Sequence, residues 1–273
     1  MNKTKSRAAV ISLIVLVALI LGFYLFGKEA VEFTSEQKNV AILNVEPKYS
    51  IIIEDIVYFE DVKGYLAKPE NPGAYPGVIM IHEWWGLNDN IKQMAENLAM
   101  QGYVVLAVDL YNGEVASEPS RAGELAGAVR ANPSEALENM KAAVSYLKEM
   151  QGVDKLASLG WCFGGQQSLQ ISLNEKLDAT VIYYGNLVTD KEQLSSLNSP
   201  VLGIFGSADS SIPVENVKKF DSVLDELGIE NEIYIYPGVG HAFANPSGNN
   251  YAPYETQDAW SKTLSFLEAN LRQ

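Results

Sequence analysis

The stretch Lys155–Leu173, KLASLGWCFGGQQSLQISL, decides how the rest of the chain is read. KLASLG is a short apolar run of strand length, and GGQQSLQISL reads as a helix. Between them Gly160, Gly164 and Gly165 surround Cys162, the single cysteine of the chain. A strand that turns at once into a helix holds its corner residue in a strained conformation. Side chains two residues to either side would collide there, and glycines at 160 and 164 remove them. The start of the helix also points backbone N–H groups at the corner, which favours an anion at that place.

Outward from this corner the same alternation continues. Candidate strands are Ile51–Phe59, Gly64–Ala67, Gly77–His82, Val104–Asp109, Lys155–Gly160, Ala179–Tyr184, Val201–Gly206 and Glu232–Pro237. GVIMIH, YVVLAVDL and PVLGIFG are continuous apolar runs, as expected of strands covered on both faces of a parallel sheet. Helical periodicity fills the intervals at Asn90–Gln101, Pro133–Met150, Val214–Leu227 and Tyr254–Leu271. The pattern predicts an α/β fold with a mostly parallel, doubly wound sheet of about eight strands. The first two strands lie close together and read as an antiparallel start.

Composition limits the function. The chain has 273 residues, 47% of them apolar, and a net charge of −14. That acidity disfavours nucleic acid as a partner. One cysteine and two histidines, His82 and His241, exclude zinc fingers, iron–sulfur clusters and an internal disulfide. No metal or organic cofactor is expected. At the N-terminus a basic flank (residues 1–7) precedes Ala8–Phe26, 19 residues without a charge. As a helix that run spans about 28 Å, close to the hydrocarbon thickness of a bilayer. It exceeds a cleavable h-region and ends without an A-x-A-like site. The expectation is one transmembrane signal-anchor at 8–26, a tether at 27–50 and a single α/β unit at 51–273. The basic flank predicts a cytoplasmic N-terminus and a single-pass membrane protein with its body on the extracytoplasmic side. Secretion after signal cleavage is the alternative.

The corner at Cys162 has the form of a G-x-S-x-G nucleophile elbow with cysteine in place of serine. Its partners follow in the order nucleophile, acid, histidine that α/β-hydrolases use. PVLGIFGSADSSIP carries Asp209 just past a buried strand, where a carboxylate faces the ligand crevice. IYIYPGVGHAF then brings His241 on a glycine-flanked loop. His241 would move protons, and Asp209 would fix its tautomer. HEWWG, directly after GVIMI, supplies the loop that donates one oxyanion N–H in such enzymes. The backbone N–H groups of Trp84 and Phe163 are therefore the candidate oxyanion hole. Trp84 and Trp85 would wall a substrate pocket. Structural roles stand beside these: a small buried hydrophobe for Cys162, a helix cap for Asp209, a surface loop histidine for His241, core packing for Trp85 and a solvated loop acid for Glu83.

Together GVIMIHEWWGL, GYVVLAVDLY, LGWCFGG, GSADSSIP and GVGHAFAN make the chain, from about Ile51 to the last helix, resemble the dienelactone hydrolase family of α/β-hydrolases. The resemblance implies a catalytic triad of Cys162, His241 and Asp209 and no cofactor. It implies that Glu83 supports the site by holding the resting thiol and taking its proton. It also points to two substrate-carboxylate positions. Arg121 in EPSRAGELAG matches one loosely. Asn245 stands where the family has the other arginine, and an amide offers no charge-assisted fork. The implied activity is hydrolysis of a small-molecule ester or lactone through an acyl-cysteine. A non-catalytic binding protein on this fold, or a thiol-based redox-responsive protein, are the alternatives. The latter lacks a resolving cysteine.

Overall fold

A computed structural model of the chain describes residues 45–272. Eight strands form one sheet: β1 (Ile51–Phe59), β2 (Val62–Pro69), β3 (Gly77–Ile81), β4 (Val104–Val108), β5 (Leu156–Trp161), β6 (Ala179–Tyr183), β7 (Val201–Gly206) and β8 (Asn231–Tyr236). Their spatial order is β1-β2-β4-β3-β5-β6-β7-β8. β1 pairs antiparallel with β2, and β2 with β4; every pairing from β4 onward is parallel. The parallel strands carry the continuous apolar runs because both of their faces are covered.

Seven helices lie among the described residues: α1 (Asp89–Ala99), α2 (Pro119–Ala131), α3 (Pro133–Glu149), α4 (Phe163–Asn174), α5 (Lys191–Leu194), α6 (Val214–Leu227) and α7 (Pro253–Leu271). The two-residue period of the strands divides the core. Val78 and Met80 of β3 pack with Ile91 and Leu98 of α1 and with Trp260 and Leu267 of α7 on one face. Ile79 and Ile81 turn to the other face, against Met140, Val144 and Leu147 of α3. Further along that face Phe220 and Leu224 of α6 cover Ile182 and Phe205.

The expected elements are present, with corrections at their ends. β3 stops before His82 and β4 before Asp109, because both side chains serve the loops beyond the sheet. His82 is buried, with Nδ1 against the Glu83 carbonyl and Nε2 accepting from Leu110 N at 3.2 Å. Its ring ties the ends of β3 and β4 together. α5 was not expected from periodicity. It is a single turn, started by Asp190, whose side chain accepts from Gln193 N at 2.9 Å. The last residues of the expected tether are docked: the Lys48 and Tyr49 amides both donate to the Met100 carbonyl. The expected membrane anchor at 8–26 lies outside the described residues. Among the described residues no helix is long and apolar enough to cross a membrane.

Candidate active site

The strand-to-helix corner has the strain its glycines imply. Cys162 adopts φ +55° and ψ −116°, a left-handed region unusual for a side-chain-bearing residue. A Cβ at Gly160 would lie 2.1 Å from the Gly164 carbonyl oxygen, and one at Gly164 would lie 2.2 Å from that of Ile81. Both contacts are with backbone, which cannot swing aside. The Cys162 amide donates to the Tyr183 carbonyl at 2.9 Å and its carbonyl accepts from Gln166 N at 3.2 Å. The corner is thereby held between β6 and the first turn of α4.

Asp209 follows β7, with its side chain fully buried. One oxygen accepts from the Ser211 and Ile212 amides at 2.7 and 3.1 Å. The other lies 2.7 Å from His241 Nδ1. These bonds leave the carboxylate one orientation. The far nitrogen of the ring, Nε2, lies 3.1 Å from Cys162 Sγ. With Nδ1–H directed to Asp209, Nε2 is the atom that exchanges a proton with sulfur. Burial works to raise the Asp209 carboxyl, but His241 and the two amides hold it below its ordinary value. Burial likewise works to lower His241. The hydrogen bonds and charges of Asp209 and Cys162 outweigh it and push the imidazole up to about 10.

A cleft of about 250 Å³ opens over this group, lined among others by Trp84, Arg130, Cys162, Gln166, Asn186 and His241. The Trp84 and Phe163 amides have no acceptor among the described residues, as candidate oxyanion donors require. Phe163 also packs its ring against His82 and Tyr111, with centroids 5.8 and 5.7 Å away.

Four expected residues stand elsewhere or do other work. Trp85 does not line the cleft. Its ring packs edge-on to Trp84 at 5.0 Å and its carbonyl accepts from Ala116 N at 2.9 Å, so it braces the loop. Arg121 is 48% exposed and paired with Glu114 and Glu124 at 2.5 and 2.7 Å. It faces solvent because its partners do. Asn245 is only 6% exposed and sits beneath the site, where its Nδ2 donates to Glu83. Glu83 is therefore buried and bonded to Asn245, while the sulfur is bonded to His241. The expected Glu83–thiol contact is absent among the described residues. Burial pushes the Glu83 carboxyl up to about 7, against the Asn245 bond and the charge of His241. The Tyr184 hydroxyl is sealed in nearby without a hydrogen-bond partner of good geometry, and the field of Glu83 raises it further.

Arg130, Gln166, Asn186 and Tyr184 were missed. Arg130 lies in the last turn of α2, the same helix as Arg121. Only Ala122 and Ala126 of that helix are buried, so its sequence has no clear apolar stripe to show which arginine faces the cleft. Gln166 was within reach of sequence reasoning, since it lies one helical turn beyond Cys162.

Known proteins resemble the chain over most of its length. The family model described as "Dienelactone hydrolase family" matches residues 62–271. Protein usf of Aquifex pyrophilus is 33% identical over 219 residues, covering 77% of this chain and 94% of its own. A Saccharolobus solfataricus protein named "Putative carboxymethylenebutenolidase" is 30% identical over 254 residues, covering 78% and 97%. Among solved structures, a "Putative Dienelactone Hydrolase" from Klebsiella pneumoniae superposes with a TM-score of 0.66 at 26% identity, covering 80% of this chain and 98% of that one.

Proposed function

The chain belongs to the dienelactone hydrolase family, and from that premise we propose that it hydrolyses esters or lactones through an acyl enzyme on Cys162. The observation that carries this reading is the unbroken run Asp209–His241–Cys162, at 2.7 and 3.1 Å, beneath an open cleft. A carboxymethylenebutenolidase opens a lactone ring, and the name of the Saccharolobus relative supports the same substrate class here.

In the proposed reaction the Cys162 sulfur, its proton passed to His241 Nε2, attacks the substrate carbonyl carbon. An imidazolium at hydrogen-bond distance is the arrangement that stabilises a thiolate nucleophile. The carbonyl oxygen takes up the negative charge and accepts from the Trp84 and Phe163 amides. As the carbon–oxygen bond of the ester breaks, His241 returns the proton to the leaving alkoxide. In a lactone that alkoxide stays tethered to the acyl group. Water then attacks the thioester with His241 as base, and the carboxylic acid leaves as Cys162 is restored. Asp209 keeps Nδ1 protonated throughout and steadies the cation that forms.

Arg130 supplies the recognition. It stands at the cleft without an ion pair among the described residues, so a substrate anion would meet an uncompensated guanidinium there. With Asn245 bonded to Glu83, no second arginine lines the cleft among the described residues, and neutral esters belong to the accepted range. The uncharged run Ala8–Phe26 supports placement on a membrane with the body outside.

The test is mass spectrometry of the protein mixed with activated esters and lactones, alongside turnover. A transient acyl mass on the Cys162 peptide is expected, and Cys162→Ala should abolish both adduct and turnover with the fold intact. Turnover retained by Cys162→Ala would refute the nucleophile.

A further inference from the structure

An oxyanion donor acts only if it points at the place where charge develops, so whatever aims it belongs to the machinery. The Trp84 N–H is part of the peptide that joins Glu83 to Trp84. That peptide is planar and trans, so its carbonyl and its N–H point in opposite directions. A group that holds the Glu83 carbonyl therefore aims the Trp84 N–H. His82 is such a group: its Nδ1 lies 2.5 Å from the Glu83 carbonyl oxygen. The Gly86 amide also donates to that oxygen, at 3.2 Å, and closes the turn through Trp84 and Trp85. The imidazole bond is the shorter of the two.

The ring makes this bond in one tautomer. The Leu110 amide donates to Nε2 at 3.2 Å, so Nε2 presents its lone pair and the proton sits on Nδ1. The ring is also held in place. It is fully buried, with Tyr111 edge-on at 4.6 Å and Phe163 stacked at 5.8 Å between centroids. One side chain thus touches both residues of the candidate oxyanion hole, Trp84 through its peptide and Phe163 through its ring. His82 itself does not line the cleft, whereas Trp84 does, and the Trp84 amide has no acceptor among the described residues.

We infer that His82 is a positioning residue that aims the Trp84 N–H into the cleft by donating Nδ1–H to the Glu83 carbonyl. This rests on the reading of Cys162 as the nucleophile and of the Trp84 and Phe163 amides as oxyanion donors. Because His82 directly follows β3 and is tied to the end of β4, the donor is fixed to the sheet before substrate arrives and costs no reorganisation during the reaction.

The test compares two reactions of Cys162 in the full chain. Acylation by p-nitrophenyl acetate, followed by release of nitrophenolate, puts negative charge on a carbonyl oxygen. Alkylation by iodoacetamide displaces iodide from a saturated carbon and forms no oxyanion. His82→Leu removes the donor to Glu83 and should slow acylation by about a hundredfold, the scale of one lost oxyanion donor, while alkylation stays within about twofold. His82→Asn can place its Nδ2–H where the ring carries Nδ1–H, but it offers no acceptor to Leu110. Its ratio of acylation to alkylation should stay close to that of the wild type. Acylation of the leucine variant at the wild-type rate would overturn the proposal, since the turn bond from Gly86 would then suffice. So would equal slowing of both reactions, which would trace the loss to the site as a whole. An asparagine variant whose ratio falls as far as that of the leucine variant would overturn it too. If the leucine variant does not fold, the ratio in the asparagine variant decides alone. The underlying reading fails separately: wild-type protein fully alkylated at Cys162 that still turns over the ester would remove the nucleophile before any variant is compared.

Discussion

Cys162 occupies a backbone conformation ordinarily left to glycine, and the sheet holds it there through the bond from its amide to Tyr183. Two carboxylates of the site allow separate tests. Asp209→Asn leaves the shape of the site but no longer selects the Nδ1–H tautomer of His241, so kcat should fall by about a thousandfold or more. Steady-state kinetics with a neutral ester measures this; a loss within tenfold would mean that Asp209 serves only as a loop cap. Glu83 allows a test through pH. Burial holds its carboxyl at about 7, above the ordinary 4.5. As pH rises the unfolded chain releases this proton first, so the native state loses stability between those values and stays lower above them. Glu83→Gln should therefore gain relative to wild type as the pH rises from about 4.5 to above 7, by at most about 3 kcal/mol. Urea unfolding at the two ends of that range decides it, and an equal difference at both would mean that Asn245 fully offsets the burial. The grouping of Cys162, Asp209 and His241 was legible because each follows a strand marked by an apolar run and glycines. The bond from Asn245 to Glu83 was not, because a contact between residues 83 and 245 leaves no local pattern.

At the scale of elements, the corner between β5 and α4 and the helix α2 make opposite demands on glycine. Gly164→Ala places a Cβ against the backbone oxygens of Ile81 and His82, so β3 or α4 must move. A loss of about 4 kcal/mol or more, with activity gone, is expected. In α2 a Cβ at Gly123 meets nothing within 4 Å and one at Gly127 meets only Arg130 Nη2, at 3.9 Å. Alanine at each should stabilise by about 0.5–1 kcal/mol, seen as a rise in Tm of a few degrees for the pair. No rise would mean that α2 is frayed in solution. The strands could be read in advance because burial on both faces leaves unbroken apolar runs. Their spatial order could not, since β4 inserts between β2 and β3 through crossovers whose contacts are distant in sequence. α2 stayed obscure for a related reason: a helix that buries only alanines has no apolar stripe.

The whole molecule joins an acidic catalytic unit to an uncharged N-terminal run that the described residues do not include. The two parts make separable demands. The sheet begins at Ile51, and Lys48 and Tyr49 already dock onto the end of α1. The 19 uncharged residues of Ala8–Phe26 match a bilayer in length. If they anchor the chain, the full-length protein should sediment with membranes, resist extraction by alkaline carbonate and release its body to protease added from the extracytoplasmic side. A variant lacking residues 1–30 should remain soluble, with kcat/KM for a soluble ester within about twofold of the full chain, because Cys162, Asp209, His241 and the cleft all lie within the folded unit. Carbonate extraction of the full-length chain would show that the run does not span. A body resistant to outside protease but cut from within would reverse the orientation. That result would weigh against the rule that the three basic residues before the run, Lys3, Lys5 and Arg7, keep its start in the cytoplasm.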